Sequence, residues 1–251
     1  MRRHSRRSCR RGNDGLRDPR SPAAGSRPNR RRARQNRVIL RDRMRARLVT
    51  ISVGDAAHDV AHTDRVWANA QVIAAGEIPC DMTVLLAACY FHDLVTLPKN
   101  SPDRAQASAM SADAAKPILL ELGLTDNQTA NACHAITAHS FSANILPTTA
   151  EAKILQDADR IEALGAIGIA RCFATTGVMG GGLFHGLDPF GQDRDLDDKA
   201  YAVDHFRLKL LRLPDMMQTA SGRALAATRA DVLRSFLDQL AVELDAPISG
   251  W

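Results

Sequence analysis

The sequence predicts an all-α protein built as one helical domain. Apolar residues recur with the 3.6-residue period of a helix through most of the chain after residue 55. No run of segments shows the two-residue alternation typical of strands, and neither internal repeats nor GxGxxG or Walker patterns occur. The same region contains ample Ala, Leu, Ile and Val to bury a core of domain size.

The first 47 residues are predicted to be a disordered basic arm, because Arg, Ser, Pro, Asn and Gly dominate them. Residues 1–50 contain 18 arginines and three aspartates, a net charge of +15, whereas the rest of the chain carries −10. Such an arm can bind nucleic acid or serve as an organellar transit peptide, although the amphipathic pattern of transit peptides is missing. We favour a solvated tail or a misassigned start, followed by a helical domain over residues 48–251 that includes a C-terminal helical extension.

Cysteine usage favours a reducing compartment. The five cysteines are odd in number and none has CxxC spacing, which predicts free thiols and a cytoplasmic protein. No apolar run approaches the length of a membrane span, and no charged-then-apolar signal peptide opens the chain. The sequence therefore predicts no membrane partner.

Seven helices are predicted from the periodicity. They cover residues 59–75, 81–93, 103–122, 126–139, 151–173, 199–212 and 218–244. Asp81 and Asp126 are expected to cap the helices that they precede or begin, and Thr219 to cap the last. Residues 177–197 are rich in Gly and Asp and lack a helical period, so they are predicted to form a long loop.

Three segments place histidine or aspartate in an otherwise apolar helical pattern, and they are the candidate site. The segments are His62-Thr63-Asp64-Arg65-Val66, Ala88-Cys89-Tyr90-Phe91-His92-Asp93-Leu94 and Gln156-Asp157-Ala158-Asp159-Arg160-Ile161. His92 and Asp93 end a strongly apolar helix, so both side chains can reach a metal that lies off the helix end. Asp157 and Asp159 face roughly opposite ways on a helix, and only one of them can reach the same metal. We choose Asp159, because small residues on its side allow another helix to approach.

These motifs resemble those of the HD-domain metal-dependent phosphohydrolases, and from about Asp55 the chain resembles the bacterial YedJ-like branch of that superfamily. The resemblance implies an HD-type helical bundle whose metal ligands are His62, His92, Asp93 and Asp159. It also implies a phosphohydrolase, with nucleotides as the substrates of related proteins. The identity of the phosphate ester does not follow from it.

The ligand set favours a six-coordinate divalent ion. Histidine and aspartate ligands with an open position suit Mn²⁺ or Mg²⁺, with Fe, Ni, Co or Zn ions as alternatives. Such an ion can activate water to cleave a phosphate ester or anhydride. His139 or His58 is the candidate proton donor to the leaving oxygen. Arg65, Lys99 and Arg160 flank the motifs and are candidates to contact phosphoryl oxygens.

Two other function classes remain open. Some HD-fold proteins are di-iron oxygenases, and such a site would recruit His134 and His139 as well, but their spacing of five places them about 140° apart on a helix. The other class is a non-catalytic nucleotide sensor. A structural role is as well supported as a functional one for His134, and better supported for His185 and His205. The expected partner is a small phosphorylated molecule, and the oligomeric state is left open.

Overall fold

The computed structural model describes residues 30–51, 60–77, 79–97 and 101–248. These residues form nine α-helices and no strand, which confirms the all-α prediction. The helices are α1 (Arg30–Ile51), α2 (Val60–Ala75), α3 (Met82–Phe91), α4 (Ala107–Glu121), α5 (Asp126–His139), α6 (Ala150–Arg160), α7 (Gly165–Val178), α8 (Ala202–Leu208) and α9 (Ala220–Leu244). Within this part of the chain no single helix is long and apolar enough to cross a bilayer, and only α6 and α7, taken as a pair bent by 65°, meet the length and composition test.

Helix α3 lies at the centre of the bundle. All eight residues from Val84 to Phe91 are buried, because the helix contacts α1, α2, α4, α5 and α6. A helix that is apolar on every side is stable only when neighbours cover it all round. The residues that follow α3, His92 and Asp93, therefore emerge in the middle of the fold, where α2, α5 and α6 also meet.

Local capping signals define where several helices begin. The Asp81 carboxylate accepts hydrogen bonds from the backbone N–H of Thr83 and Val84 and so caps α3, as predicted. The prediction for Asp126 is wrong: Thr125 caps α5, in a capping box with Gln128, and Asp126 is the first helical residue. Thr219 caps α9 through the Gly222 N–H, as predicted.

The helix predicted over residues 151–173 is two helices. Helix α6 ends at Arg160, a short 3₁₀ turn covers Ile161–Ala163, and α7 begins at Gly165. Gly165 has a φ of 68°, in the left-handed region that favours glycine, and this turns the chain by 65°. The apolar period continues through the bend, so periodicity alone does not reveal it. The bend leaves Asp159 in the last turn of α6, directed at the end of α3.

The predicted disorder is wrong over residues 30–47, which belong to α1; residues 1–29 lie outside the described residues. Helix α1 buries Met44 and Leu48, one turn apart, against the core. Arg41 Nη2 lies 2.9 Å from Asp64 Oδ1, and Arg41 Nε donates to the Tyr90 hydroxyl over 2.8 Å. The arginine-rich helix is therefore held by a few long-range contacts with α2 and α3.

The bounds predicted for the loop at residues 177–197 and for the helix at 199–212 differ from those of the structure. Helix α7 extends to Val178, and α8 covers only Ala202–Leu208 before a 3₁₀ turn at Leu210–Met216. Helix α8 stops because the backbone of Lys209 leaves the helical region, with φ −131° and ψ −57°. The loop between α7 and α8 is closely hydrogen-bonded to itself, and its Gly182 pairs with Tyr201 as an isolated β-bridge.

Candidate metal centre

Five side chains from four helices meet at the end of α3, and we call them the His/Asp cluster: His62, His92, Asp93, His139 and Asp159. His62 lies in the first turn of α2, His139 is the last residue of α5 and Asp159 lies in the last turn of α6. Two sets of three, His62–His92–Asp159 and His92–Asp93–His139, each have ligand atoms within 4.8 Å of one another. The structure thus brings together all four predicted ligands, and it adds His139.

His92 is at the centre of the His/Asp cluster and is fully buried. Its Nδ1 atom lies 2.9 Å from the carbonyl oxygen of Cys89, where it donates the ring proton. The other nitrogen, Nε2, has no hydrogen-bond partner among the described residues and lies 3.5 Å from Asp93 Oδ2 and 3.8 Å from Asp159 Oδ1. Burial lowers the pKa of His92, so its ring is neutral and carries a free lone pair at neutral pH.

His62 and His139 flank His92. His62 Nε2 is 3.4 Å from Asp159 Oδ1, and His139 Nε2 is 3.4 Å from Asp93 Oδ1. Burial opposes protonation of His62, but Asp159 and Glu162 outweigh it and raise the His62 pKa to about 9. The pKa of His139 is also raised, because Asp93 outweighs burial. Both shifts favour the protonated form of the rings in the absence of another cation.

The carboxylates of Asp93 and Asp159 both stay ionised. Burial opposes ionisation of each, but the histidines around them lower both pKa values. Each carboxylate thus has an imidazole partner, whereas His92 Nε2 faces two carboxylates and receives a proton from neither. A lone pair and carboxylate oxygens that converge on one point form a donor set for a divalent cation. The residues present therefore fit the metal that the motifs imply.

Glu162 supports the cluster, although it was named at the sequence level only as a neighbour of Asp159. It is 1% exposed and accepts hydrogen bonds from Arg65 Nε over 2.6 Å and Asn69 Nδ2 over 3.1 Å. His62 Nδ1 lies 3.6 Å from its carboxylate. A carboxylate behind a ligating histidine fixes the ring and raises its basicity. Its place three residues after Asp159, on the same side of the chain, was the available signal.

Several other predicted site residues have different surroundings. Arg65 is paired with Glu162, and its contact with a phosphoryl oxygen stays a prediction. Arg160 donates from Nη1 to the Met216 carbonyl over 2.8 Å, on the side of α6 away from the core. His58 and Lys99 lie outside the described residues, so their predicted catalytic roles stay predictions.

The remaining histidines and Asp157 make contacts that support the fold. His134 Nε2 lies 2.9 Å from the Thr148 hydroxyl, His185 Nδ1 accepts the Asp188 N–H, and His205 Nδ1 lies 3.1 Å from Asp198. None of the three belongs to the His/Asp cluster. Asp157 is fully buried and accepts hydrogen bonds from the backbone of Gln218 and Thr219, at the start of α9. The structure thus separates Asp157 from Asp159 in the way that their spacing predicts.

Comparisons with known proteins agree with this fold. A family model described as "HD domain" matches residues 59–164. The uncharacterized protein YpgQ of Bacillus subtilis is 34% identical over 196 residues, which cover 76% of this chain and 86% of YpgQ. The crystal structure of YpgQ in complex with ADP is similar with a TM-score of 0.65 and 31% identity, over 85% of this chain and 97% of that one. An HD-superfamily hydrolase from Bacillus thuringiensis is similar with a TM-score of 0.64 and 27% identity, over 82% and 97% of the two chains. The finer assignment to a YedJ-like branch stays a prediction.

Proposed function

The chain belongs to the HD-domain family, and from this membership we propose that it is a metal-dependent phosphohydrolase acting on a nucleotide. The reaction is hydrolysis of a phosphate ester or anhydride bond. The residues proposed to hold the metal are His62, His92, Asp93 and Asp159, with Mn²⁺ or Mg²⁺ as the favoured ion. His139 is the residue proposed to handle the proton.

One observation supports this proposal most: a fully buried imidazole nitrogen without a hydrogen-bond partner faces two carboxylates. Leaving a buried polar atom unpaired is costly, and such atoms in native proteins need an explanation. Here His92 Nε2 is held as an acceptor, because Nδ1 donates to the Cys89 carbonyl. A cation at this point would satisfy Nε2 and both carboxylates together.

His62, His92, Asp93 and Asp159 would hold the divalent ion, which would supply activation of water and polarisation of a phosphoryl oxygen. The protein residues orient the donors and manage the proton. The Cys89 carbonyl fixes the ring of His92, the Glu162 carboxylate faces His62 Nδ1 at 3.6 Å, and α3 positions the backbone of His92 and Asp93. Because the core around α3 is closely packed, these positions do not depend on a loop.

His139 is placed to hold a proton at Nε2. Its Nδ1 bonds to the carbonyl of Ile136, and Nε2 faces Asp93 Oδ1 at 3.4 Å. Burial opposes protonation of His139, but Asp93 outweighs it and raises the pKa, which favours this proton. A protonated imidazole beside the reacting phosphate can protonate the leaving oxygen, which is the role of a general acid.

The nucleotide substrate is supported by similarity and by chemistry. The solved structure of the similar protein YpgQ contains ADP. Arg160 follows Asp159 directly, and its guanidinium, held by the Met216 carbonyl, is the cation that we propose for a phosphate chain. We therefore propose a nucleoside di- or triphosphate as the substrate class.

The di-iron oxygenase alternative would recruit His134, but its Nε2 is engaged by Thr148 on the outer side of α5. Its place outside the His/Asp cluster favours hydrolysis over oxidation. Oxygen uptake by the iron-loaded protein, dependent on His134, would reverse this ranking.

The test is a panel of nucleotides and divalent ions, with products identified by chromatography, on wild-type protein and on His92→Ala, Asp93→Ala and His134→Ala. We expect loss of hydrolysis and of metal binding in the first two variants. His134→Ala is the matched control, because it removes a histidine from the same region without touching the cluster. Undiminished hydrolysis by both cluster variants would refute the proposal, and metal binding without hydrolysis of any nucleotide would favour the sensor alternative.

A further inference from the structure

A cavity of about 780 Å³ lies between the segment after α5 and helix α6. We call it the ring pocket. Its walls combine apolar side chains with a few polar ones: Phe141, Ile145, Leu146, Gln156, Arg160 and Met216. A concave, mostly apolar space with few polar groups is typical of a small-molecule site.

The ring pocket and the cluster share two segments of chain. Ser140 lines the pocket and directly follows His139. On α6, Gln156 lies one turn before Asp159, and residues three apart are neighbours on a helix surface. A molecule in the pocket therefore lies within a short reach of the cluster.

Gln156 is a buried polar residue in the pocket wall with unused hydrogen-bonding capacity. Its side chain is 3% exposed, and its Nε2 donates to the carbonyl of Ala138 over 2.9 Å. Its Oε1 atom is buried and has no hydrogen-bond partner among the described residues. Nε2 keeps a second N–H, but the atom without a partner is the acceptor Oε1, and a ligand that pairs with it must present an N–H or O–H donor.

Phe141 and Leu146 form an exposed apolar rim to the same pocket, with 73% and 74% of their surfaces accessible. The guanidinium carbon of Arg160 lies 5.9 Å from the centroid of the Phe141 ring. An exposed aromatic ring beside a cation provides a stacking surface for a flat heteroaromatic ring and a counter-charge for an attached phosphate.

We propose that the ring pocket holds the nucleobase of the substrate, with the base stacked on Phe141 and an N–H of its edge donated to Gln156 Oε1. The phosphate chain then passes Arg160 to reach the His/Asp cluster. This inference rests on the proposed function, and it assigns Phe141 and Gln156 as the residues that distinguish a nucleotide from a phosphate chain without a base.

The first experiment compares ATP with inorganic tripolyphosphate, which has the phosphate chain but no base. For Phe141→Ala we expect the ratio of kcat/KM for ATP to that for tripolyphosphate to fall about tenfold, because one base–aromatic stack is lost. Leu187→Ala is the control, since Leu187 is equally apolar, 95% exposed and remote from the pocket wall. That variant should keep the wild-type ratio.

The second experiment uses adenosine, which carries no phosphate, and measures its binding to the full chain by calorimetry. We expect Phe141→Ala and Gln156→Met each to weaken adenosine binding about tenfold. Gln156→Met also leaves the Ala138 carbonyl without its donor, so its folding is checked by circular dichroism. Phe141→Ala changes an exposed side chain, so its adenosine affinity still tests the ring pocket if Gln156→Met does not fold.

Different results would overturn the ring pocket and the proposed function. An unchanged substrate ratio together with unchanged adenosine affinity in Phe141→Ala would overturn the ring pocket, and so would the absence of adenosine binding to wild-type protein. If wild-type protein hydrolyses neither ATP nor tripolyphosphate with any divalent ion, the proposed function fails. Adenosine binding would still decide the pocket in that case.

Discussion

Buried charge is stabilised in two different ways in this molecule. At the start of α8, Asp204 is fully buried, and its two oxygens accept from Arg194 Nη1 and Nη2 over 2.6 and 2.8 Å and from the Asp197 N–H over 2.7 Å. Both carboxylate oxygens therefore have donors. In the His/Asp cluster, by contrast, His92 Nε2 has no hydrogen-bond partner in the described part of the chain and faces two carboxylates.

The difference indicates what each region is for. A buried carboxylate held bidentately by arginine, with a backbone N–H besides, is complete without a ligand and stabilises the loop that it closes. A buried imidazole with a free lone pair beside two carboxylates is incomplete, and a ligand completes it. Burial of charge alone therefore does not identify a functional site. An unpaired buried imidazole nitrogen beside two carboxylates does indicate one.

The largest expected effect comes from two neighbouring aspartates of α6. Asp159→Asn should lower hydrolysis about 10³-fold, because it removes a carboxylate from the donor set and with it several kcal/mol of transition-state stabilisation. Asp157→Asn, two residues away, should keep the rate per folded molecule and instead lose about 1–3 kcal/mol of stability, since Asp157 accepts the N–H groups of Gln218 and Thr219 just before α9. Steady-state kinetics and urea unfolding of both variants are the measurements. Equal loss of activity in the two would remove the distinction between them.

The next effect is on stability alone. Asp204→Ala should lower the free energy of unfolding by about 3 kcal/mol, because it removes a buried carboxylate that accepts three hydrogen bonds and leaves the partly buried Arg194 without this partner. The control is Asp231→Ala, which breaks the exposed pair with Arg234 on α9 and should cost less than about 1 kcal/mol. Neither variant should change kcat of the folded protein. A rate loss in Asp204→Ala, with the protein still folded, would show that the two regions are coupled.

A smaller effect is expected from the residue behind the cluster. Glu162→Gln keeps the shape of the side chain but removes the charge that faces His62 and Arg65, and it should lower metal affinity or kcat about 10- to 100-fold. Glu243→Gln, an exposed change of the same kind on α9, should have no effect. Calorimetric titration with Mn²⁺ gives the affinity directly. If Glu162→Gln binds Mn²⁺ as wild type does, Glu162 does not position His62.

The comparison also explains how far the sequence could predict this structure. Helix α5 was predicted with its observed bounds, 126–139, because its capping signal and period are both local. Helix α1 was missed, because its stability depends on contacts of Arg41 with Asp64 and Tyr90, which are 23 and 49 residues away. The turn at Gly165 was missed as well, since the apolar pattern continues on both sides of it.

In the candidate site, too, local motifs could be predicted and contacts between helices could not. The four proposed ligands could be named because each lies in a motif. Spacing showed that only one of Asp157 and Asp159 reaches the metal, and the small residues beside Asp159 favoured that one. His139 could be named as a site residue but not placed beside Asp93, because that contact joins two helices. The position of Glu162 behind His62, on another helix, is likewise a product of packing that no single segment encodes.

The smallest expected effect is on the stability of the loop before α8, and it is measured as a function of pH. Lys209 lies against Asp198 and lowers its pKa; burial opposes this, and His205 on α8 adds to the lowering. A carboxyl group whose folded pKa lies below its unfolded value of about 3.9 contributes stability above that value and loses it as the pH falls toward the folded pKa. Wild-type protein should therefore be more stable than Asp198→Asn by less than about 1 kcal/mol at pH 6, because Lys209 is largely exposed and solvent screens the pair.

The difference should shrink as the pH falls below 4, as measured by urea unfolding of both proteins across pH 3–6. A difference that stays constant over this range would mean that Asp198 stabilises the loop through its shape and hydrogen bonds, and that its charge contributes nothing to the region.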